Sequence, residues 1–97
     1  MPLAPREAGE LARRILDSDK VAVTKHARKR MKERNLTLTD VENTIRCGAV
    51  REKPESTAQG MFKYRFETNR MAAIVMFRSE DEMLIWTAFR FEGRDVA

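Results

Sequence analysis

Hydrophobic positions follow a helical period in the first half of the chain and a two-residue period in the second half. The first helical stretch predicts an amphipathic helix over residues 5–17, with charged residues on its other side. Its apolar positions are Ala8, Leu11, Ala12, Ile15 and Leu16. The following "KVAVT" alternates weakly and predicts a short extended piece.

A second helix is predicted over residues 25–34, because Thr24 is a good N-cap residue. Asn35 suits the end of this helix, since Asn tolerates the left-handed backbone conformation better than most residues. The segment therefore has both a start signal and a stop signal.

A third helix is predicted to run to about residue 47. Thr37 and Asp40 resemble a capping box, with Asp in place of the usual Glu or Gln. Val41 and Ile45 are expected to face inward, and Gly48 to end the helix.

Strands are predicted after Gly48, where "AVREK" favours a first strand and "PESTAQG" a loop. "MFKYRFE" places its aromatic side chains on one face and its charged ones on the other, and "RMAAIVMFR" is apolar on both faces. Strict alternation in "MLIWTAFRF" predicts two faces. One would carry Met83, Ile85, Thr87 and Phe89, and the other Leu84, Trp86, Ala88 and Arg90.

The predicted fold class is therefore α+β. Two to three N-terminal helices would pack on a three- to four-stranded antiparallel sheet, since short turns between consecutive strands favour a meander. One domain is expected over residues 1–97, with its core at about 6–91.

The positive charge of the chain is concentrated in the second helix. The net charge is +4, and residues 25–34 hold six basic residues against one acidic residue, while the rest of the chain is close to neutral. Such a segment attracts polyanions, although a solvated helix face is an equally ordinary explanation.

Several classes of protein are disfavoured. The longest apolar run has seven residues, far fewer than the roughly 20 that cross a bilayer, and the N-terminus has no apolar signal core. The lone Cys47 fits a reducing compartment, so a cytoplasmic location without membrane attachment is expected.

We expect no cofactor and no metal, because one His and one Cys do not make a zinc site and no glycine-rich phosphate loop is present. The acidic "SEDE" is more typical of a turn than of a cation site.

Metal-free cleavage of RNA is a function that the classes disfavoured above leave open. It requires a group that accepts the proton of the 2′-hydroxyl, a group that protonates the leaving oxygen, and cations near the phosphate. His26, the only histidine, would lie near the start of the second helix, where the helix dipole favours a neutral ring. Lys29 and Arg30 would share its face. The alternative is a structural histidine that hydrogen-bonds the start of the sheet.

Further candidates lie on the predicted strands. Lys63 and Arg65 share one face, which is either a solvent face or a substrate floor, and Tyr64 faces the core with its hydroxyl at the rim. Arg90 follows an apolar stretch, so it needs an acidic side chain or a ligand phosphate as its partner.

The stretch "TKHARKRMKERNLTLTDVENTI" resembles the opening of a bacterial family catalogued as a domain of unknown function, number 4258. That family has a "KHAxxRMxERxI" motif, which this chain matches at His26, Ala27, Arg30, Met31, Glu33 and Arg34, with Asn35 where a Gly is usual. "YRF" and "NRMAAIVMFRSEDEMLIWTAFR" look like the family's later strands, so the resemblance covers about residues 20–91.

The family is in turn similar to RelE-like toxins, including the MqsR and BrnT groups, which are small α+β ribonucleases that cleave mRNA without a metal. "IWTAFR" looks like the strand in which BrnT-type toxins end with "ISAR", which points to Arg90. The resemblance implies an endoribonuclease toxin that acts on RNA, free or as mRNA on the ribosome, and is neutralised by a protein antitoxin.

The predicted site combines both lines of reasoning. His26 would transfer the proton, Tyr64 would be a second proton donor or would stack on a base, and the other residues would bind phosphate. The predicted catalytic residues are His26, Tyr64, Arg65 and Arg90, and the predicted nucleic-acid-binding residues are Lys25, Lys29, Arg30, Lys32, Arg34 and Lys63.

Two other functions remain open at this point. A non-catalytic module would bind nucleic acid through the basic helix 25–34, without needing His26 in any particular place. A protein-interaction domain would instead pair an exposed edge of its sheet with a partner.

Overall fold

In the part of the chain that the structure describes, three helices and six strands form an α+β fold, and this is the class that the hydrophobic pattern predicts. The computed structural model describes residues 2–50 and 53–91. The helices are α1 (Pro5–Ser18), α2 (Lys25–Glu33) and α3 (Leu38–Cys47). The strands are β1 (Val21–Val23), β2 (Ala49–Val50), β3 (Glu55–Ser56), β4 (Phe62–Glu67), β5 (Met71–Phe77) and β6 (Met83–Arg90).

Local signals set the start of α2 and α3. The Thr24 hydroxyl accepts a hydrogen bond of 2.9 Å from the N–H of Ala27. Thr37 and Asp40 form the predicted capping box, in which each side chain accepts from the other's backbone N–H, at 3.1 and 2.9 Å. These bonds satisfy amide groups that the first turn of a helix leaves unpaired.

A left-handed residue ends α2. Asn35 has φ of 55°, and its N–H donates to the carbonyl of Lys32 at 3.2 Å. The N–H of Leu36 reaches back to the carbonyl of Met31 at 2.8 Å, and both side chains are buried in the core. This pair of bonds with its apolar contact is a Schellman motif, so the predicted role of Asn35 is confirmed.

The sheet is larger than predicted and it is mixed. Its strand order is β1-β6-β5-β4-β2, with β3 paired to β4. All pairs are antiparallel except β1 with β6, which is parallel. The strands predicted from "AVREK" onward correspond to β2, β4, β5 and β6. The sheet is larger because β1, predicted only as a short extended piece, and the two-residue β3 also join it. The "PESTAQG" segment, predicted as a loop, contributes β3.

The helices pack on one face of the sheet, which we call the inner face. Phe66 of β4 is fully buried there, together with Val41 and Ile45 of α3, as predicted. The inner face also carries Tyr64 and, from the neighbouring strands, Ala73, Val75, Met83, Ile85 and Ala88. The opposite face, which we call the open face, carries Lys63, Arg65 and Glu67 of β4.

A β-bulge in β6 changes which residues face outward. Ile74 pairs with Thr87 and Val75 pairs with Ile85, so that Trp86 is left over between them. The strict alternation predicted for β6 therefore holds to Trp86 and is wrong from Thr87 onward. Ala88 lies on the inner face, while Trp86, Thr87 and Phe89 share the open face with Leu84.

Helix α2 runs beside the outer edge of β6, where β1 ends. The N–H of Thr24 donates to the carbonyl of Ile85 at 3.1 Å and so continues the parallel pairing by one residue. Further along, the Arg34 guanidinium donates to the carbonyl of Ala88 at 2.7 Å. Part of the β6 edge is thus covered by a helix, and the basic segment of the chain borders the sheet.

Candidate functional site

His26 is exposed at the second position of α2. The Nε–H of Arg30 donates to its Nε2 atom at 3.5 Å, as the i, i+4 spacing predicts. Arg30 also pairs with Glu33, with 3.3 Å between Nη1 and Oε1. The His26–Arg30 bond is at the long limit for a hydrogen bond, so either side chain can exchange it for a ligand.

Most of the other basic side chains of α2 point into solvent. Lys25, Arg28, Lys29 and Lys32 are exposed, and within residues 2–50 and 53–91 none of them forms an ion pair. They form a positive surface with no anion of the described chain to neutralise it. Arg34, predicted to belong to this surface, is bound instead to the backbone of β6.

Arg90 is occupied at the other end of α2. Its guanidinium donates to the carbonyls of Arg34 at 2.7 Å and Asn35 at 3.3 Å. These carbonyls lie at the negative end of the helix dipole, where a cation is favourable. The hydrogen bonds of Arg90 thus go to backbone oxygens and not to the acidic side chain or phosphate expected from the sequence, while its charge acts on the nearby Asp40 carboxyl.

Tyr64 lies on the inner face, away from Lys63 and Arg65. It is 4% exposed, and its ring packs against Phe77 with centroids 5.3 Å apart. Its hydroxyl accepts a hydrogen bond of 2.7 Å from the N–H of Leu3. The hydroxyl therefore reaches the rim as predicted, but it serves to hold the N-terminal segment.

Cations lie over aromatic rings on the open face. Lys63 Nζ is 4.5 Å from the centroid of the Trp86 ring. Arg65 Cζ is 5.3 Å from the Phe89 ring and 5.7 Å from the Phe91 ring. Because β4 and β6 are separated by β5, about 10 Å in all, both basic side chains lean across the sheet toward α2. We call these five residues the cation–ring surface.

Arg65 has a second contact that orients it. Its Nε atom lies 3.0 Å from Glu67 Oε2, and the two side chains are 34% and 13% exposed. The N–H direction does not suit a hydrogen bond, so the Nε is buried without one and the contact is a charge pair. This partly buried pair fixes one side of the guanidinium and directs its other side toward the rings of Phe89 and Phe91.

The predicted residues therefore fall into four separate places. His26 and Arg30 meet near the start of α2, Lys63 and Arg65 lie on the open face, and Tyr64 is on the inner face. Arg90 binds the far end of α2, about 12 Å along the helix axis from His26. The four residues predicted as catalytic do not converge on one phosphate.

Trp86 and Phe89 were not predicted as functional residues. Strict alternation separated Trp86 from Phe89, and only the bulge brings both to the face of Lys63 and Arg65. A bulge has no clear local signal in "LIWTAF". The one available hint is a Trp in a strand opposite alternating basic residues.

Metal ligands are not clustered in the part of the chain that the structure describes. Within it, no three His, Cys, Asp or Glu side chains come together. Among the described residues, none of the three helices has both the length and the hydropathy of a membrane span.

A family model matches most of this structure. The model described as Domain of unknown function (DUF4258) matches residues 23–90, from the end of β1 to the end of β6. The chain belongs to this family. The DUF4258 segment includes α2, α3 and both faces of the sheet, and it leaves α1 outside. Searches of curated proteins and of solved structures gave no match.

Proposed function

We propose that this DUF4258 protein binds single-stranded RNA and cleaves it without a metal, with His26 as the proton-transfer residue. The observation that supports this most directly is the exposed contact of His26 Nε2 with Arg30. The contact lies on the positive helix that borders the cation–ring surface. A proton acceptor, a phosphate-binding cation and a positive surface are therefore neighbours.

The chemistry would be attack of a ribose 2′-oxygen on the adjacent phosphorus. His26 Nε2 would accept the 2′-hydroxyl proton, while Arg30 would exchange its histidine contact for a phosphate oxygen. The bond from phosphorus to the 5′-oxygen would break as the new bond forms. Because Tyr64 lies on the inner face, the departing oxygen would take its proton from solvent. The products would be a 2′,3′-cyclic phosphate and a 5′-hydroxyl.

The remaining predicted residues would have supporting roles. The exposed Lys25, Lys29 and Lys32 would attract the RNA backbone over a range that shortens as the ionic strength rises. Lys63 and Arg65 would bind the strand on the open face. Arg34 and Arg90 would act as positioning residues, since their bonds hold the end of α2 against β6.

A toxin role, a protein antitoxin and kinship with RelE-like toxins are part of the same proposal. Their support is the resemblance of "IWTAFR" to the last strand of BrnT-type toxins and the similarity of the DUF4258 family to RelE-like toxins, together with the small basic α+β fold. Ribosome-bound mRNA and free RNA are both substrates that fit an exposed histidine.

The test is controlled expression in a bacterial host, with growth followed and RNA 5′ ends mapped after induction. We expect growth arrest and new 5′-hydroxyl ends with the native chain, and neither with His26→Ala. A matched control is Lys20→Ala, which removes one exposed positive charge outside α2. New ends that persist in His26→Ala would show cleavage without His26 and would refute its assignment.

A non-catalytic RNA-binding module is the second candidate. The observation in its favour is that Tyr64 and Arg90, two of the four residues predicted as catalytic, are bound to backbone groups of the chain itself. A double variant, Lys29→Glu with Lys32→Glu, separates the two functions. A non-catalytic module would lose RNA binding in the double variant and would bind normally in His26→Ala. The nuclease would lose cleavage in His26→Ala and still bind RNA.

A further inference from the structure

The open face has a cleft beside Trp86 that no predicted role accounts for. The cleft has a volume of about 610 Å³ and lies between the 55–61 segment and the ends of β5 and β6. Its apolar part is formed by Met61, Met76 and Trp86, and its polar part by Glu55, Ser56 and Gln59, with Lys63 beside them. This is the size and the mixture of surfaces that small organic ligands use.

Trp86 is the unusual residue of this cleft. It is 38% exposed, although most apolar side chains of β6 are buried. The bulge places it between paired residues of the strand, and the ammonium of Lys63 lies 4.5 Å from the ring centroid. A large flat ring that is held by a strand and left accessible is suited to stack on another flat ring.

We infer that this cleft binds one nucleotide of single-stranded RNA, with its base stacked on Trp86 and the adjacent phosphate held by Lys63. This inference rests on the proposed function and names how the open face binds the strand. Lys63 would leave the indole ring for the phosphate, because its flexible stem allows both positions and an exposed cation–ring contact is weak. The stacking surface is then free for the base.

The rim of the cleft adds a preference among bases. The Glu55 carboxylate lies opposite Lys63 in the β3–β4 register and lines the same cleft. A carboxylate at the base edge that bears the amino group of cytosine accepts a hydrogen bond from it. Uracil has a carbonyl oxygen at that position and only its N3–H to donate. Cytosine should therefore bind more tightly than uracil, which has a similar size but lacks the amino group.

RNA fits this cleft better than an acidic protein segment does. The hydroxyl of Thr24, the N-cap residue of α2, lies 3.5 Å from the carbonyl of Trp86, so a strand held at Trp86 can continue toward Lys25 and Lys29. A negatively charged peptide would meet Glu55 in the cleft itself, whereas the phosphates of RNA can stay at its Lys63 side while the neutral base enters.

The test uses the intrinsic fluorescence of Trp86, which is the only tryptophan of the chain. The full chain with His26→Ala, which prevents loss of substrate by cleavage, is titrated with eight-nucleotide oligocytidylate. Binding is followed at the same time by the anisotropy of a label on the RNA. We expect tryptophan quenching to follow the anisotropy curve, and oligouridylate to bind several-fold more weakly.

Variants separate stacking from charge. In the same background, Trp86→Ala should weaken binding by roughly tenfold and Trp86→Phe by much less. Lys63→Met should lower the slope of log affinity against log salt by about 0.7, the value for one phosphate of a single strand. Glu55→Gln should reduce the difference between cytidylate and uridylate. The control is Lys20→Met, which removes a remote exposed charge.

The outcomes distinguish this inference from the proposed function. One outcome is RNA that binds by anisotropy and yet leaves the tryptophan fluorescence unchanged. That result, together with native affinity in Trp86→Ala and Lys63→Met, would overturn the cleft and leave the nuclease standing. Absence of RNA binding by either signal in a folded chain would overturn both. Circular dichroism of each variant confirms that the fold is present.

Discussion

The inner and open faces of the sheet are formed by the same strands, but they carry different kinds of side chain. On β4, Phe66 faces the helices and is fully buried, while the adjacent Arg65 faces the other side and keeps a third of its surface. The inner face is filled by apolar side chains of all three helices. The open face has basic side chains over aromatic rings.

This difference indicates a division of labour. Burial of apolar side chains is the main source of stability, so the inner face holds the fold together. The contacts of the open face are between charges and rings near solvent, which are individually weak and easily exchanged for a ligand. Changes on the two faces should therefore affect different measurements.

The largest expected effect is a truncation on the inner face. Phe66→Ala removes a fully buried aromatic side chain and should lower the free energy of unfolding by about 3–5 kcal/mol. The matched change on the open face is Phe89→Ala, at a half-buried ring, which should cost less than half as much. Urea denaturation followed by circular dichroism measures both. Equal costs would mean that the two faces contribute alike to stability.

A smaller effect is expected at the end of α2. Arg90→Ala removes the two hydrogen bonds from the guanidinium to the carbonyls of Arg34 and Asn35. The loss should be about 1–2 kcal/mol of unfolding free energy, since the donor is charged but the site is exposed. Arg90→Lys should recover part of it.

The same pair of variants separates positioning from phosphate binding. If Arg90 acts only by holding α2, its loss should lower stability and cleavage together. Cleavage that disappears in Arg90→Ala while the unfolding curve is unchanged would restore Arg90 as a direct phosphate ligand.

Tyr64→Phe should cost about 1 kcal/mol and leave RNA cleavage unchanged. The change removes only the hydroxyl, which accepts the hydrogen bond from Leu3 on the inner face. Denaturation and a cleavage assay on the same preparation measure both quantities. A stable variant without cleavage would instead support the proton-donor role that the sequence suggested.

The smallest effect is a pH dependence at the start of α3. Hydrogen bonds from the backbone N–H and the hydroxyl of Thr37, and the charge of Arg90, hold the pKa of the Asp40 carboxyl below its ordinary value. Because the pKa of Asp40 is lower in the folded chain than in the unfolded chain, its carboxylate stabilises the fold at pH values above the ordinary pKa. This stabilisation is lost as the pH falls through the lowered pKa of the folded chain.

Asp40→Asn should remove this part of the acid dependence. The unfolding free energy of the native chain should fall more steeply than that of the variant as the pH drops below about 4. Parallel denaturation curves of the two proteins across that range would show that the capping box does not depend on the ionised carboxylate.

Local patterns predicted much of the fold. Helix ends depend on residues within one turn, so Thr24, Asn35 and the Thr37–Asp40 pair could be recognised from spacing alone. The faces of β4 were also predictable, because alternation holds throughout that strand. The i, i+4 spacing was enough to place His26 beside Arg30.

The rest of the site depends on contacts between distant segments. Arg90 binds backbone more than fifty residues away, and Tyr64 binds Leu3 across the sheet, so neither partner has a local signal. A strand of three residues, such as β1, has no visible preference for a parallel neighbour.

The sequence by itself determined the α+β class, the limits of the helices and the concentration of positive charge in α2. These properties follow from short-range hydrogen bonding, hydrophobic period and composition. Only the tertiary structure decided that β1 lies beside β6 and that a bulge after Trp86 turns Phe89 to the face of Arg65. Both depend on how strands far apart in the chain align, which is set by packing of the whole sheet against its helices.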